Sequence, residues 1–185
     1  MIIGLTGPIG AGKDTVAKIL QRRGALVIDA DKVAHTLYRP QSPVWRDLVK
    51  AFGSKVLSRG GEINRRKLAE IVFSDSSKLK QLNRIVHPYL KEEIIKVAKE
   101  PCIINAAVLK EIGLVDYVNE VWVVMASKEK RLKRLIKSGL DKEEAEKRIR
   151  SQMSQKEYLA MADVVIENNG TLKQLNAKIQ ACFKV

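Results

Sequence analysis

The first fifteen residues place the strongest constraint on the fold. They read MIIGLTGPIGAGKDT, in which an apolar run, Met1–Leu5, leads into a glycine-rich stretch, a lysine and a helical pattern from Thr15 onward. A strand, a glycine-rich turn and a helix in this order are typical of a phosphate-binding loop. Glycines let several backbone N–H groups point into one concavity, and the helix adds its positive end. We expect a nucleotide phosphate site here; the alternative is a glycine turn that only joins a strand to a helix.

Lys13 is expected to reach the β- and γ-phosphates as a point charge. The loop departs from the pattern G-x-x-x-x-G-K-[ST] at its last position, where Asp14 replaces the hydroxyl that ligates Mg²⁺ in P-loop enzymes. A carboxylate can also bind a hard cation, and Thr15 supplies a hydroxyl one position later. The predicted nucleotide-binding residues of this loop are Gly7, Gly10, Ala11, Gly12, Lys13, Asp14 and Thr15.

The chain is basic, with 34 Lys and Arg against 21 Asp and Glu, a net charge of +13 over 185 residues. Such an excess fits nucleic acid, a membrane surface or small polyanionic substrates, although a solvated lysine-rich surface would explain most of it. Aromatic residues are only 5%, without the aromatic and basic interleaving of RNA-binding segments. We therefore favour small polyanions and expect no nucleic-acid or membrane partner.

The sequence contains no apolar run of membrane-spanning length and no basic leader before its first apolar stretch. We therefore expect a cytoplasmic protein. Its two cysteines, Cys102 and Cys182, share no motif spacing and are expected to be reduced residues of the core. With only two histidines, a histidine-rich metal site is excluded.

Short apolar segments alternate with helical patterns along the chain, which predicts an α/β fold with a five-stranded parallel sheet flanked by helices on both faces. The predicted strands are Met1–Leu5, Ala25–Ile28, Cys102–Ala106, Glu120–Ala126 and Ala162–Glu167. The predicted helices are Lys13–Arg23, Lys32–Tyr38, Val44–Phe52, Arg65–Phe73, Ser77–Lys99 with an interruption at His87-Pro88, two within Lys128–Arg150, and Thr171–Phe183.

Two aspartates follow the second strand. Asp29 and Asp31 come at its carboxyl end, the edge at which ligands bind in open α/β sheets. In extended geometry they would share a face, roughly 6–7 Å apart. One could then accept a proton from an acceptor hydroxyl while the other orients a metal or water. Alternatively, one of them caps the helix that follows. Both roles are compatible, with Asp29 as support and Asp31 as base.

Between Pro40 and Pro101 the sequence shows only helical patterns, which predicts a helical substrate-binding insertion between strands two and three. Within it, Arg65 and its neighbour Arg66 are candidates for binding substrate phosphates, or they are solvated helix charges. His87 precedes a helix-disrupting proline and is either a packing residue or a functional one.

The segment Lys128–Arg150 carries ten basic and five acidic residues on two helical patterns around Ser138-Gly139. A mobile basic hairpin would suit a lid that closes over a transferring phosphate and excludes water. An exposed, salt-bridged helix pair is the alternative.

Several short motifs follow one another along nearly the full length of the chain. They are GLTGPIGAGK at Gly4–Lys13, IDAD at Ile28–Asp31, GEINR at Gly61–Arg65, His87-Pro88, Gly113-Leu114 after Glu111, VWVV at Val121–Val124 and ADVVIENNG at Ala162–Gly170. On these motifs the chain resembles the dephospho-CoA kinase family. The phosphate loop alone is shared by many NTPases, whereas its combination with IDAD and ADVVIENNG is much more specific.

The resemblance implies ATP-dependent phosphorylation of the ribose 3′-hydroxyl of dephospho-CoA, the last step of coenzyme A synthesis, with ATP and Mg²⁺. It implies a P-loop core of residues 1–35, 101–126 and 158–185, a helical CoA-binding insertion of 36–100 and a lid of 127–157. We expect a monomer or small homo-oligomer.

The resemblance also assigns roles to residues. Asp31 corresponds to the family's base and Lys13 to its P-loop lysine, and Asn169 and Gly170 belong to the segment beside the adenine. The remaining predicted contacts are Asp29, Arg65 and His87 for the substrate, and Asp14, Thr15 and Asp29 for the metal.

The chain departs from the family pattern at three places. Family members usually read GKST or GKTT where this chain has Asp14 directly after the lysine. Their third strand usually ends in D-x-P-L-L-x-E, and the first position of that motif is Asn105 in this chain. The position of the family's lid arginine is matched by Lys137, or by Ser138 if the loop is one residue shorter. Lysine lacks a bidentate fork, so Arg134 and Arg148 are further candidates for the lid cation. Two other functions stay open: another P-loop nucleotide or small-molecule kinase, and a catalytically weakened nucleotide-binding regulator or RNA-associated protein.

Overall fold

The computed structural model describes residues 1–183, with the side chain of residue 73 left out. Within this range the strands are β1 (Ile2–Thr6), β2 (Leu26–Asp29), β3 (Cys102–Asn105), β4 (Glu120–Met125) and β5 (Val164–Glu167). The helices are α1 (Lys13–Arg22), α2 (Ala30–Leu37), α3 (Pro43–Phe52), α4 (Arg65–Phe73), α5 (Ser76–Val97), α6 (Lys128–Lys137), α7 (Lys142–Arg150), α8 (Gln155–Ala160) and α9 (Leu172–Cys182). A 3₁₀ turn, Ser54–Val56, follows α3.

The strands form one five-stranded parallel sheet in the order β2-β3-β1-β4-β5, which confirms the predicted fold class. The first strand lies at the centre of the sheet, with β3 on one side and β4 on the other. In this register Leu5 lies opposite Asn105 on β3 and Trp122 on β4. The carboxyl end of β1, where the glycine-rich loop begins, is therefore beside the carboxyl end of β3.

Every residue of β1 is buried, including the polar Thr6 at its end, as expected for a strand covered on both faces. Helix α1 buries Val16, Ile19 and Leu20, and α9 buries Leu175 and Ile179 against the same cluster. These positions recur at helical spacing, so each helix presents one apolar face. The core fixes the two ends of the glycine-rich loop, one in β1 and the other in α1.

The chain divides into two compact units, one of residues 1–28 with the chain from Ala98 onward, and the other of Asp29–Val97. The second unit contains the helices α2 to α5, and its long helix α5 packs against α2, α3 and α4. The proposed boundaries of the insertion and lid remain predictions.

The predicted break at His87-Pro88 is wrong, because α5 runs unbroken from Ser76 to Val97 with Pro88 inside it. Proline removes one backbone donor from a helix. Tertiary packing of Val86, Leu90 and Ile94, all buried, holds this helix together across that position. The six-residue helix α8 was not predicted, although Ser154 and Glu157 form a capping box at its start.

The expected core position is confirmed for Cys102, which is buried, and wrong for Cys182, which is exposed near the end of α9. Both cysteines are free thiols.

Candidate functional site

The glycine-rich loop exposes a set of backbone donors at the start of α1. Gly12 caps the helix in the left-handed conformation, with φ of 97°, and Gly10 also has a positive φ of 76°. The N–H groups of Gly10, Gly12, Lys13 and Asp14 donate no hydrogen bond to any residue between 1 and 183. Unpaired N–H groups at a helix N-terminus suit an anion, and phosphate is the usual occupant of such a loop.

Lys13 and Asp14 share a hydrogen-bonded cluster with Asn105 at the end of β3. Lys13 Nζ donates to Asn105 Oδ1 at 2.7 Å and to Asp14 Oδ1 at 3.0 Å. Asn105 Nδ2 donates to the same Asp14 oxygen at 3.2 Å. Burial alone would raise the pKa of Asp14, but the hydrogen bonds from Lys13 and Asn105 outweigh it and hold the pKa below its usual value. Asn105 was recognised in the sequence only as a departure, not as a site residue.

The guanidinium of Arg134 on α6 holds the outer side of the loop. Its Nη1 donates to the carbonyl oxygens of Gly10 and Ala11, each at 3.0 Å. Its Nη2 donates to the carbonyl of Asn168 at 2.8 Å. Arg134 was predicted as a candidate lid cation, and in this structure these donors bind loop carbonyls.

A second pair on the same side contacts Ile9 and was not predicted. Arg131 Nε donates to the Ile9 carbonyl at 2.8 Å, and Gln152 Oε1 accepts from the Ile9 N–H at 2.8 Å. Arg131 Nη2 also donates to Gln152 Oε1 at 3.3 Å. Burial lowers the pKa of Arg131. The signal in the sequence was the spacing of Arg131 and Arg134, which puts both side chains near one face of a helix.

The segment before α9 contacts the loop through Asn168. Its side chain is buried, and Nδ2 donates to the Ala11 carbonyl at 2.8 Å. The neighbouring Asn169 Oδ1 accepts from the Ser127 N–H at 2.8 Å. A cavity of about 320 Å³ borders this segment and is lined by Glu167, Asn168, Asn169, Gly170, Gln174, Leu175 and Lys178. Two predicted nucleotide-binding residues, Asn169 and Gly170, therefore lie at one cavity.

The other two candidate lid cations are exposed. Lys137 is the last residue of α6 and makes no hydrogen bond or ion pair within the part of the chain that the structure describes. Arg148 on α7 pairs with Glu144 one turn earlier, with Nε and Oε1 2.8 Å apart. The pairing is the exposed, salt-bridged arrangement that was the alternative to a lid.

The expectation that Asp29 and Asp31 lie in extended geometry is wrong, because α2 begins at Ala30 and includes Asp31. Asp29 caps this helix: its Oδ1 accepts from the N–H groups of Asp31 at 3.0 Å and Lys32 at 3.2 Å. Capping by Asp29 was the alternative interpretation, and it is confirmed. The side chain of Asp31 is exposed in the first turn, where a helix favours a negative charge.

The helical unit contains a cavity of about 630 Å³ whose lining includes both Asp31 and Arg65. Its other lining residues are Ala34, His35, Tyr38, Leu68, Ala69, Val72, Leu79 and Leu82. The guanidinium carbon of Arg65 lies 5.8 Å from the centre of the Tyr38 ring, a cation–π distance. His87 is half-buried in α5 and is not among the described residues that line this cavity.

Among residues 1–183, no group of three or more His, Cys, Asp or Glu side chains is arranged to hold a metal ion by itself. No described helix combines the length and the apolar character needed to cross a membrane.

A family model described as dephospho-CoA kinase matches residues 1–174. The dephospho-CoA kinase of Geobacter sulfurreducens is 41% identical over 97% of this chain and 95% of its own length. That of Aquifex aeolicus is 40% identical over 98% of this chain and 95% of its own length.

Several solved structures are similar to this chain. The crystal structure of TT1252 from Thermus thermophilus has a TM-score of 0.81 at 35% identity, covering 98% of this chain and 95% of that one. Dephospho-CoA kinase from Campylobacter jejuni has a TM-score of 0.74 at 26% identity, covering 98% and 94%. Shikimate kinase from Bacteroides thetaiotaomicron, at 14% identity and a TM-score of 0.60, shares the fold.

Proposed function

The chain belongs to the dephospho-CoA kinase family, and from this premise we propose that it transfers the γ-phosphoryl group of ATP to the ribose 3′-hydroxyl of dephospho-CoA. The products are coenzyme A and ADP. One observation carries the proposal beyond family membership: four unpaired backbone N–H groups and the Lys13 ammonium occupy the same loop. Together they supply the donors that a triphosphate needs and hold it without further rearrangement of the backbone.

Mg²⁺ fits the oxygen donors of this site. The carboxylate of Asp14 is exposed, and its Oδ2 receives no hydrogen bond from the described residues. We propose Asp14, the Thr15 hydroxyl and Asp29 as the residues that would hold Mg²⁺, since carboxylate and hydroxyl oxygens suit a hard cation. When bound with ATP, the ion neutralises charge on the phosphates.

Asp31 is the proposed base. Asp31 is exposed and lines the large cavity of the helical unit, which Arg65 also lines. Arg65 is the proposed binding partner for the phosphates of a polyanionic acceptor. During in-line attack of the hydroxyl oxygen on the γ-phosphorus, the hydroxyl proton passes to a carboxylate oxygen of Asp31. The bond between the γ-phosphorus and the bridging oxygen breaks, and the electron pair leaves with ADP.

The negative charge on the equatorial oxygens of the transferring γ-phosphoryl group needs a cation close by. Lys137 is the proposed source because its ammonium is exposed and makes no ion pair among residues 1–183. Arg148 would first release Glu144, and Arg134 would first release loop carbonyls. Asn169 and Gly170 are proposed to lie beside the adenine, and His87 to support acceptor binding.

An acceptor screen tests the proposal. ADP formation from ATP and Mg²⁺ is measured without acceptor, with dephospho-CoA, and with shikimate and nucleoside monophosphates as matched alternatives. The expected result is ADP formation that requires dephospho-CoA, with a product phosphorylated at the 3′-oxygen by ³¹P NMR. Turnover with another acceptor alone would assign a different P-loop kinase, and ATP binding without any turnover would assign a regulator.

The proposal includes a cytoplasmic location and a monomeric or small homo-oligomeric enzyme that works without nucleic acid. Retention of the protein on RNA at moderate salt, with the steep salt dependence of phosphate contacts, would contradict it.

A further inference from the structure

Asn105 occupies a fixed place at the end of β3, beside the phosphate loop. Its side chain is buried, with 4% of the residue exposed. The backbone of Asn105 lies opposite Leu5 in the parallel ladder, and the next N–H, that of Ala106, donates to the Leu5 carbonyl at 3.0 Å. The strand therefore holds the amide group of Asn105 in one position relative to the start of the loop.

The amide uses both of its functions at this place. Oδ1 accepts from Lys13 Nζ at 2.7 Å, and Nδ2 donates to Asp14 Oδ1 at 3.2 Å. Only a side chain that is both acceptor and donor can bind a cation and an anion in this way. A carboxylate at position 105 could accept from Lys13 but would face the Asp14 carboxylate without a proton to donate. An apolar side chain could do neither.

The cluster also leaves Lys13 able to bind a ligand. The Lys13 side chain is only 11% exposed, and its ammonium has three N–H donors, of which Asn105 and Asp14 take one each. One donor remains for a phosphate oxygen. Because a lysine side chain has several rotatable bonds, two fixed partners reduce the conformational entropy that it loses when a phosphate binds.

We propose that Asn105 is a positioning residue for nucleotide binding: its neutral amide holds Lys13 and Asp14 in place, and its neutrality is what makes a carboxylate at position 14 compatible with a phosphate site. The inference rests on the proposed function in taking ATP as the ligand. The inference concerns the pair of positions 14 and 105, which must carry one amide and one carboxylate between them.

The test measures the Kd of ATP by calorimetry, with Mg²⁺ and separately with EDTA, for N105D, N105L and the exchanged double variant D14N/N105D. N105D places two carboxylates in contact, and N105L removes both hydrogen bonds. Each should weaken ATP binding roughly tenfold or more. The double variant keeps one amide, one carboxylate and Lys13, so in EDTA it should recover most of the affinity that N105D loses. The EDTA measurement is the one that decides, because D14N also removes a proposed Mg²⁺ ligand. In steady-state kinetics the single variants should raise the KM for ATP and leave the KM for the acceptor within about twofold, since only the nucleotide contacts change.

A matched control is N119D, the same substitution at the opposite end of the sheet. Asn119 Oδ1 accepts from the Ile2 N–H at 2.6 Å, and a carboxylate keeps that bond. Its ATP affinity should equal that of the unaltered protein. If N105D or N105L fails to fold by circular dichroism, N105S replaces it, with a shorter hydroxyl that cannot reach both partners and the same expected loss.

ATP affinities of the Asn105 variants within twofold of the unaltered protein would overturn the inference, and so would a double variant that in EDTA binds ATP no better than N105D. The acceptor screen separates this failure from that of the proposed function. If the protein binds ATP in an Asn105-dependent way but does not phosphorylate dephospho-CoA, the acceptor assignment fails and the role of Asn105 stands. If it phosphorylates dephospho-CoA and the variants bind ATP normally, the role of Asn105 fails alone.

Discussion

Lys13 and Asp31 have opposite surroundings, which suits the different tasks proposed for them. Lys13 is held by Asn105 and Asp14, and its side chain is 11% exposed. Asp31 is exposed at the start of α2, and its carboxylate receives no hydrogen bond from the described residues. A phosphate-binding cation gains from being fixed in advance, whereas a base must reach a hydroxyl that arrives with the substrate. Substitutions at the two positions should therefore affect different kinetic constants.

Substitution of Lys13 by Ala should weaken ATP binding and turnover together. The variant removes the one side-chain cation of the loop and leaves Asp14 without its ammonium partner. We expect the Kd of ATP to rise roughly tenfold to a hundredfold, since a hydrogen bond to a charged group is lost. K173A, on the exposed surface of α9, is the control for loss of a lysine. Unchanged ATP affinity in K13A would argue against the loop as the phosphate site.

Substitution of Asp31 by Asn should lower kcat and leave ATP affinity intact. The amide cannot accept the hydroxyl proton, and the loss expected for a general base is on the order of 10²–10⁴-fold. The backbone cap by Asp29 does not involve the Asp31 side chain, so α2 should keep its stability. D116N, at an exposed position elsewhere, controls for loss of one negative charge. A nearly normal kcat in D31N would refute the assignment of the base.

At this scale the sequence gives residue types but not their contacts. Asp14 and Asn105 were both recognised as departures from the family pattern, each taken by itself. The structure shows that the two side chains touch, although 91 positions separate them in the chain. The contact depends on the pairing register of β1 and β3, which no local pattern specifies.

Helix α6 acts on the phosphate loop as an element. Through Arg131 and Arg134 it satisfies the outward-facing carbonyls of the loop, while the N–H groups on the other side of the backbone stay unpaired. A peptide chain with a fixed set of carbonyl bonds keeps its N–H groups in fixed directions. The part of the chain predicted as a lid therefore begins with a helix that also supports the loop.

Substitution of Arg134 by Ala should destabilise the protein and loosen the loop. Three hydrogen bonds from a charged group are lost, and we expect the free energy of unfolding to fall by about 2 kcal/mol. R134K keeps the charge but not the fork, so it should recover only part of the loss. Denaturant unfolding and hydrogen exchange of the loop amides measure the effect. R150A, an exposed arginine paired with Glu146, should change the free energy of unfolding by less than about 0.5 kcal/mol. Equal stability of R134A and R150A would show that the hydrogen bonds of Arg134 do not hold the loop in solution.

The accuracy of the predicted elements followed the length and clarity of their patterns. Four of the five strands were placed within one residue at each end, and the fifth was predicted to begin two residues early, because buried parallel strands give short continuous apolar runs. Helix α5 was predicted with a break because Pro88 is a local signal, and burial on one face of the helix overrides it. Helix α8 was missed because six residues give too little periodicity for detection.

At the scale of the whole molecule, the two compact units carry different parts of the proposed site. The unit formed by residues 1–28 and the chain from Ala98 onward contains the phosphate loop and its supporting arginines. The unit of Asp29–Val97 contains the cavity lined by Asp31 and Arg65. The sequence predicted a helical insertion of residues 36–100, whereas the compact helical unit begins at Asp29; the roles assigned to the two units stay predictions. That boundary depends on the early start of α2, which the cap by Asp29 determines.

Because the residues proposed to bind ATP and dephospho-CoA lie in different units, each ligand should slow hydrogen–deuterium exchange in a different part of the chain. Hydrogen–deuterium exchange is compared for the protein alone, with a non-hydrolysable ATP analogue, and with dephospho-CoA. The ATP analogue should slow exchange in the loop and at the start of α1, because the unpaired N–H groups of Gly10, Gly12, Lys13 and Asp14 gain phosphate acceptors. Dephospho-CoA alone should slow exchange in α2 and α4, whose residues line the cavity of the helical unit. K13A should lose the first effect and keep the second, and R65A should do the reverse. Protection of the loop amides by dephospho-CoA with no change in α2 and α4 would reject the acceptor role of the helical unit, because the ligand would then occupy the phosphate loop and not the cavity.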